Sequence, residues 1–275
     1  MRVVLIALLC ATACQPVSVD PPHSGDPPKS GIALPPGAIV DLSHPYDEDT
    51  VFWPTAAGFE LTTDFEGLTE AGYYYTANTF CTAEHGGTHI DAPIHFAEGR
   101  RSVDEIPLEQ LMGQAVVINV SDRCSGDADY QIGIGDFEGW EAEHGRLPEG
   151  AIVLLNTGFA RFWPDRELYM GTDERGPEAV AKLHFPGLDP DAAAWLVANR
   201  SINAIGLDTP SIDFGQSTDF RSHQVLFAAD IPAFENLMGL NQLPATGFVV
   251  IALPMKIAGG SGGPLRIVAI VPESY

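Results

Sequence analysis

The sequence predicts a mixed α/β domain, and three features of residues 38–275 carry that prediction. Apolar runs of strand length recur along this segment. Segments with a helical pattern are fewer, and no sequence pattern repeats at a fixed period. Hydrophobic residues make up 45% of the chain and charged residues 19%, so the chain can bury a large core and does not belong to the disordered class.

The predicted strands start at the beginning of this segment. Residues 38–42 are predicted to form a short first strand. Residues 60–63 and 73–80 are predicted to be extended because they are rich in aromatic residues and threonine. The apolar runs that predict buried strands lie at residues 115–120, 151–156, 204–208, 247–253 and 267–271.

Two helices are predicted between these strands. The first is a short helix over Val103–Met112. The second, over Asp189–Asn199, has stronger signals. Asp189 is a typical N-cap residue, Pro190 is favourable in the first turn, and the alanine, tryptophan and leucine residues that follow give the helix an apolar side.

The first 37 residues predict export. Arg2 and the apolar run Val3–Leu9 are typical of a signal peptide, and the run is too short to span a bilayer. We expect residues 1–14 to be a signal peptide that ends at a lipobox cysteine, Cys14, with simple secretion as the alternative. Residues 15–37 are rich in proline and predict an extended tether. The expected product is a bacterial lipoprotein that faces the periplasm or the cell surface and contacts the membrane only through its lipid anchor.

The net charge of the chain limits its possible partners. The formal net charge of −23 disfavours binding to nucleic acid or to anionic membrane surfaces. A small neutral substrate or a cation is a better partner for such a chain.

Cys81 and Cys124 are the two cysteines of the domain, and export would permit a disulfide between them. Two cysteines without a short spacing do not predict a cysteine zinc site.

One short segment concentrates metal-ligand chemistry. His85, His89, Asp91 and His95 fall within eleven residues, and imidazole and carboxylate groups bind divalent first-row metals. If residues 89–91 are extended, His89 and Asp91 point to the same side of the strand. The alternative is a polar turn with incidental histidines. Because burying these groups without partners would be costly, the pattern favours a metal site.

The same segment resembles a known family. His85-Gly-Gly-Thr-His89-Ile-Asp91-Ala-Pro-Ile-His95 is similar to the H-x-G-T-H-x-D-x-P-x-H signature of the cyclase family, which includes bacterial kynurenine formamidases and isatin hydrolases. The similarity extends over roughly residues 38–271. It implies a cyclase-like hydrolase domain over residues 38–275, with the mixed-sheet swivelling β/β/α fold of that family.

The resemblance also implies roles for individual residues. His85, His89 and Asp91 match ligands of a first metal, and His95 matches a proton-transferring histidine. In addition, Trp53 matches an aromatic residue that packs on the substrate.

Further matches concern the number of metals and the assembly. His223 and Glu235 match the residues that complete a two-metal site in kynurenine formamidases. The segment 211–220 is more similar to the isatin hydrolases, for which a single manganese is expected. The implied cofactor is therefore a divalent transition metal, Mn or Zn, as one or two ions, and the implied assembly is a homodimer.

The reaction implied by the resemblance is hydrolysis of an amide-type C–N bond in a small aromatic substrate. The expected substrate is either an N-formylkynurenine-like amide or an isatin-like cyclic amide, with a metal-activated water as the nucleophile. The same chemistry would cleave a lactone or another ester. An exported metal- or ligand-binding lipoprotein without turnover is the alternative from a different class, and His95 argues against it because a binding protein needs no proton shuttle.

Overall fold

The computed structural model describes residues 37–273 of the chain. The predicted signal peptide, Cys14 and all of the tether except Gly37 lie outside the described residues, so export stays a prediction. Within the described range, no helix combines the length and the apolar character that crossing a membrane requires.

The described range contains twelve strands and seven α-helices. The strands are β1 (Gly37–Asp41), β2 (Glu60–Leu68), β3 (Tyr74–Cys81), β4 (His89–Asp91), β5 (Met112–Asn119), β6 (Gln131–Ile132), β7 (Ile152–Asn156), β8 (Gly187–Leu188), β9 (Ala204–Leu207), β10 (Ala233–Glu235), β11 (Phe248–Pro254) and β12 (Gly262–Pro272). The helices are α1 (Leu108–Leu111), α2 (Ser121–Gly126), α3 (Ile134–His144), α4 (Arg166–Met170), α5 (Pro177–Val180), α6 (Pro190–Asn199) and α7 (Arg221–Ala228).

Eight of the strands form one mixed sheet in the order β1-β12-β11-β5-β7-β9-β10-β4. Strands β5, β7, β9 and β10 run parallel to one another, and the remaining pairs are antiparallel. Strand β4 pairs with β10 on one side and with β12 on the other. This double pairing closes the sheet into a barrel-like form, in agreement with the predicted mixed α/β class.

The central strands are apolar throughout because both of their faces are buried. In β5, Ala115 and Val117 belong to the core inside the curved sheet, whereas Val116 and Ile118 belong to the core between the sheet and the helices. Strand β7 divides its side chains between the two cores in the same way. Alternation of side chains along a strand therefore fills two cores at once, which explains the continuous apolar runs of the sequence.

The secondary structure confirms the predicted strands and one of the two predicted helices. Asp189 caps α6 by accepting bonds from the N–H groups of Asp191 and Ala192. The predicted helix over Val103–Met112 is wrong. The chain forms a 3-10 turn at Val103–Glu105 and then only the single turn of α1, because Pro107 cannot donate the backbone bond that a continuous helix requires.

Helix α3 was not predicted, because its sequence gives a weak helical signal. It contains Gly135 and Gly139, and Phe137 and Trp140 are its only buried apolar residues. His144 is the last residue of this helix and is exposed. Cys81 is exposed, Cys124 is buried, and both are free, so they form no disulfide with each other.

Candidate metal centre

Strand β4 places His89 and Asp91 on one side of the sheet, as the alternation predicts. Ile90, between them, points into the core of the curved sheet. His89 lies opposite Glu235 of β10 in the antiparallel register, and Asp91 lies opposite Gly262 of β12. The closure of the sheet thus brings the distal Glu235 next to the motif residues.

A tight turn before β4 returns His85 toward Asp91. Gly87 has a φ of +57°, and a Cβ at this position would lie 2.6 Å from Cζ of Tyr46. Tyr46 donates its hydroxyl to the carbonyl oxygens of Gly86 (2.6 Å) and Thr88 (2.8 Å). Gly87 is therefore required for both backbone conformation and space.

Helix α7 contributes His223, which Asp213 holds in place. Asp213 accepts bonds from the backbone N–H of Ser222 (3.0 Å) and of His223 (3.1 Å). Its Oδ2 also lies 2.5 Å from Nδ1 of His223. One buried carboxylate thus anchors the start of the helix and orients the ring of its histidine.

Five predicted ligands meet in two groups that share Asp91. The first group is His85, His89 and Asp91, and the second is Asp91, His223 and Glu235. Within each group the ligand atoms lie within 4.8 Å of one another. Asp91 faces the first group through Oδ1, which is 2.6 Å from Nδ1 of His85, and faces the second through Oδ2, which is 3.1 Å from Nε2 of His223.

The hydrogen bonds of these histidines test whether a cation fits the site. Nδ1 of His89 lies 2.9 Å from the carbonyl oxygen of Gly87, which can only accept, so the proton of a neutral ring is on Nδ1. Its buried Nε2 has no hydrogen-bond partner and lies 3.1 Å from Asp91 and 3.5 Å from Glu235. A lone pair that faces two carboxylates is unfavourable without a positive charge, so the donor set fits a divalent metal.

The electrostatics of the carboxylates agree with this conclusion. Burial and the charge of Asp91 together raise the pKa of Glu235. Burial would also raise the pKa of Asp91, but the surrounding histidines, His85 first, hold it well below its usual value. Two buried carboxylates in contact with shared histidines therefore need compensating positive charge.

His95 and Trp53 lie beside these groups, around a cavity of about 310 Å³. The ring of His95 stacks on that of His85, with centroids 3.8 Å apart. Among the described residues, neither ligand group includes His95. Burial lowers the pKa of His95 to about 4, so its imidazole is neutral near pH 7.

Several residues of the site were not singled out by the sequence pattern. Phe96 and Phe220 line the cavity with Trp53, and the ring of Phe220 lies 6.0 Å from that of Trp53 and 5.4 Å from that of Phe96. Phe220 has a φ of +51°, which is uncommon for a bulky residue and often marks a functional position. Glu84 and Ser261 lie behind His85. Glu84 directly precedes the motif, and Ser261 lies in a glycine-rich run.

The chain belongs to the cyclase family. The family model with the description Putative cyclase matches residues 40–214. This range includes the motif and Asp213.

The relatives of this chain include both branches suggested by the sequence. It is 31% identical to an isatin hydrolase of Roseibium aggregatum over 211 residues, which cover 74% of this chain and 78% of the relative. It is 28% identical to a kynurenine formamidase of Salinibacter ruber over 231 residues, covering 84% and 96% of the two chains. The solved structure of isatin hydrolase A from Labrenzia aggregata bound to benzyl benzoate has a TM-score of 0.77 at 34% identity, with 86% and 94% of the chains covered.

Proposed function

We propose that the protein is a metal-dependent hydrolase that cleaves the amide-type C–N bond of a small, neutral aromatic molecule. The observation that carries the proposal is the position of the two ligand groups in an aromatic cavity, with His95 stacked against one of the ligands. The similarity to isatin hydrolases and kynurenine formamidases supports the same class of reaction.

Five residues would hold the metal, which we propose to be Mn or Zn as one or two ions. They are His85, His89, Asp91, His223 and Glu235. When bound, such an ion would polarise the substrate carbonyl and lower the pKa of a water molecule. Three imidazoles with two carboxylates suit either metal.

The remaining site residues would orient the substrate and move the proton. The rings of Trp53, Phe96 and Phe220 would hold a flat aromatic group and exclude water from it. His95 is neutral near pH 7 because of its burial, so its imidazole can accept a proton from the water molecule that attacks the substrate carbonyl. It can then donate that proton to the leaving nitrogen.

The charge of the lining favours a neutral substrate over an anionic one. Asp91 and Glu235 line the cavity, but as metal ligands they would have their charge offset by the bound cation. No lysine or arginine is among its lining residues, within the part of the chain that the structure describes. An isatin-like cyclic amide, or a neutral formanilide, therefore suits the cavity better than an amide that carries a carboxylate. An aromatic ester remains a second candidate, since a relative of this chain binds benzyl benzoate.

His95 separates catalysis from metal binding in this proposal. We expect His95→Ala to lower kcat by about 10²–10⁴-fold, the usual contribution of general acid–base catalysis, while the metal content of the purified protein stays at the wild-type level. His89→Ala should lose both metal and activity, and His144→Ala, at an exposed helix end, should lose neither. Elemental analysis and steady-state assays on isatin and formanilide measure these quantities. Loss of metal from His95→Ala, or an unchanged kcat, would contradict the assigned role.

A matched pair of substrates tests the preference for neutral molecules. Formanilide and 2-formamidobenzoate contain the same formamide and differ by one carboxylate. We expect kcat/KM to be at least about tenfold higher for formanilide, because a substrate carboxylate would leave water for an aromatic cavity whose lining offers it no lysine or arginine partner. Ala56→Arg adds a cation to the cavity lining and should lower the ratio of kcat/KM for formanilide to kcat/KM for 2-formamidobenzoate. Ala57→Arg places the same charge at the exposed neighbouring residue and should leave that ratio unchanged. Equal kcat/KM values for the two substrates in the wild type would contradict the preference for neutral molecules.

We also propose that the protein is a homodimer, assembled through the hairpin of β2 and β3. This hairpin forms a separate two-stranded sheet, and its large apolar side chains are exposed, among them Leu61 (61%), Leu68 (74%) and Tyr74 (61%). Two strands alone are marginally stable in water, and a large exposed apolar patch marks an interface. We expect Leu61→Asp to shift a sedimenting dimer toward monomer, and Leu168→Asp, at an equally exposed leucine elsewhere, to leave it unchanged. A wild-type monomer at micromolar concentration would refute the proposed assembly.

A further inference from the structure

Ser261 lies between the side chains of Glu84 and His85, behind the first ligand group. Its Oγ is 2.6 Å from Oε2 of Glu84 and 2.8 Å from Nε2 of His85. Its backbone N–H also donates to Oε2 of Glu84, at 3.1 Å. On the opposite side of the ring, Nδ1 of His85 lies 2.6 Å from Asp91. Glu84, Ser261 and His85 thus form a row of hydrogen bonds that ends at the ligand group.

The direction of each bond follows from the available protons. An ionised carboxylate can only accept, so Ser261 donates its single hydroxyl proton to Glu84. The hydroxyl oxygen is then an acceptor toward His85, which donates from Nε2. A neutral ring has one N–H, and Nδ1 is therefore left with a lone pair directed at the ligand group.

The other two ligand histidines also donate from one ring nitrogen and direct the other nitrogen at the ligand group. Each of them donates to a single acceptor. His89 donates to the carbonyl oxygen of Gly87 at 2.9 Å, and His223 donates to the carboxylate of Asp213 at 2.5 Å. Both of those partners are obligatory acceptors. A serine hydroxyl can donate or accept, and it becomes a fixed acceptor here only because Glu84 takes its proton.

The backbone around Ser261 is shaped to fit this contact. A Cβ on Gly262 would lie 2.6 Å from Cε1 of His85 and 2.4 Å from the carbonyl oxygen of Ile90. A Cβ on Gly260 would lie 2.8 Å from Oε1 of Glu84. The carbonyl oxygen of Ser261 also accepts the N–H of Ala92 at 2.8 Å, just beyond β4. The glycines on both sides therefore allow the serine to reach the back of the histidine.

We infer that Glu84 and Ser261 are positioning residues that fix the tautomer and the orientation of His85 for metal binding. The inference rests on the proposed function, since it takes His85 to be a ligand. Glu84 acts only through Ser261, and Ser261 acts through His85. Partners of this kind typically change metal affinity by 10–100-fold when they are removed.

A double-mutant cycle on metal affinity tests this order of action. The dissociation constant of Mn²⁺ or Zn²⁺ would be measured by chelator competition for the wild type, Ser261→Ala, Glu84→Gln and the double variant. We expect Ser261→Ala to weaken binding by about 10–100-fold and Glu84→Gln to weaken it by less. In the Ser261→Ala background, Glu84→Gln should have no further effect, because coupled residues are not additive. The visible spectrum of Co²⁺ bound at the site should shift in both single variants.

Asp104→Asn is the matched control for the loop itself. Asp104 accepts the N–H of Gly259 at 2.9 Å and so anchors the same glycine-rich segment without touching His85. We expect this variant to keep the wild-type dissociation constant and Co²⁺ spectrum. An unchanged affinity in Ser261→Ala, or equal weakening in Asp104→Asn, would overturn the inference. Failure of the wild type to bind metal would instead refute the proposed function. If Ser261→Ala does not fold, Glu84→Gln, which keeps its side-chain volume, is the variant that tests the inference.

Discussion

The buried carboxylate of Asp91 is the group on which the rest of the site depends. It is 2% exposed and lies on a three-residue strand that two other strands hold from either side. A charge in such a place must be compensated, because desolvation of an unpaired carboxylate costs several kcal/mol. Histidines from the motif and from α7 surround it, and each directs a ring nitrogen toward its oxygens. The need to balance this one charge explains why so many ligands converge here.

The closed sheet provides the rigidity that this arrangement requires. Because β4 pairs with both β10 and β12, the positions of His89, Asp91 and Glu235 are set by backbone hydrogen bonds rather than by flexible loops. Each of the three ligand histidines forms a hydrogen bond through the ring nitrogen that faces away from the shared carboxylate. Outer partners of this kind fix both the tautomer and the direction of a ligand. These contacts do not involve a metal, and they reduce the freedom that the ligand side chains would lose on binding one.

The sequence predicted the parts of this site that depend on local spacing. Alternation along residues 89–91 was sufficient to place His89 and Asp91 on one side, and the family resemblance supplied His223 and Glu235. No local pattern could show that β4 pairs with β10 and β12, since that contact joins segments far apart in the chain. Ser261 was missed for a related reason. It lies in a run of glycines without hydrophobic periodicity, and its role depends on long-range contact with Glu84 and His85.

The shared position of Asp91 is tested most directly by calorimetric titration of the metal-free protein with Mn²⁺ and Zn²⁺. Asp91→Asn keeps the size of the side chain and removes its charge, and we expect it to abolish binding at both groups. Glu235→Gln should remove only the binding that uses the second group, because His85, His89 and Asp91 remain intact. Thermal unfolding of each variant checks that it is folded. Wild-type affinity and stoichiometry in folded Asp91→Asn would contradict the central role of this carboxylate.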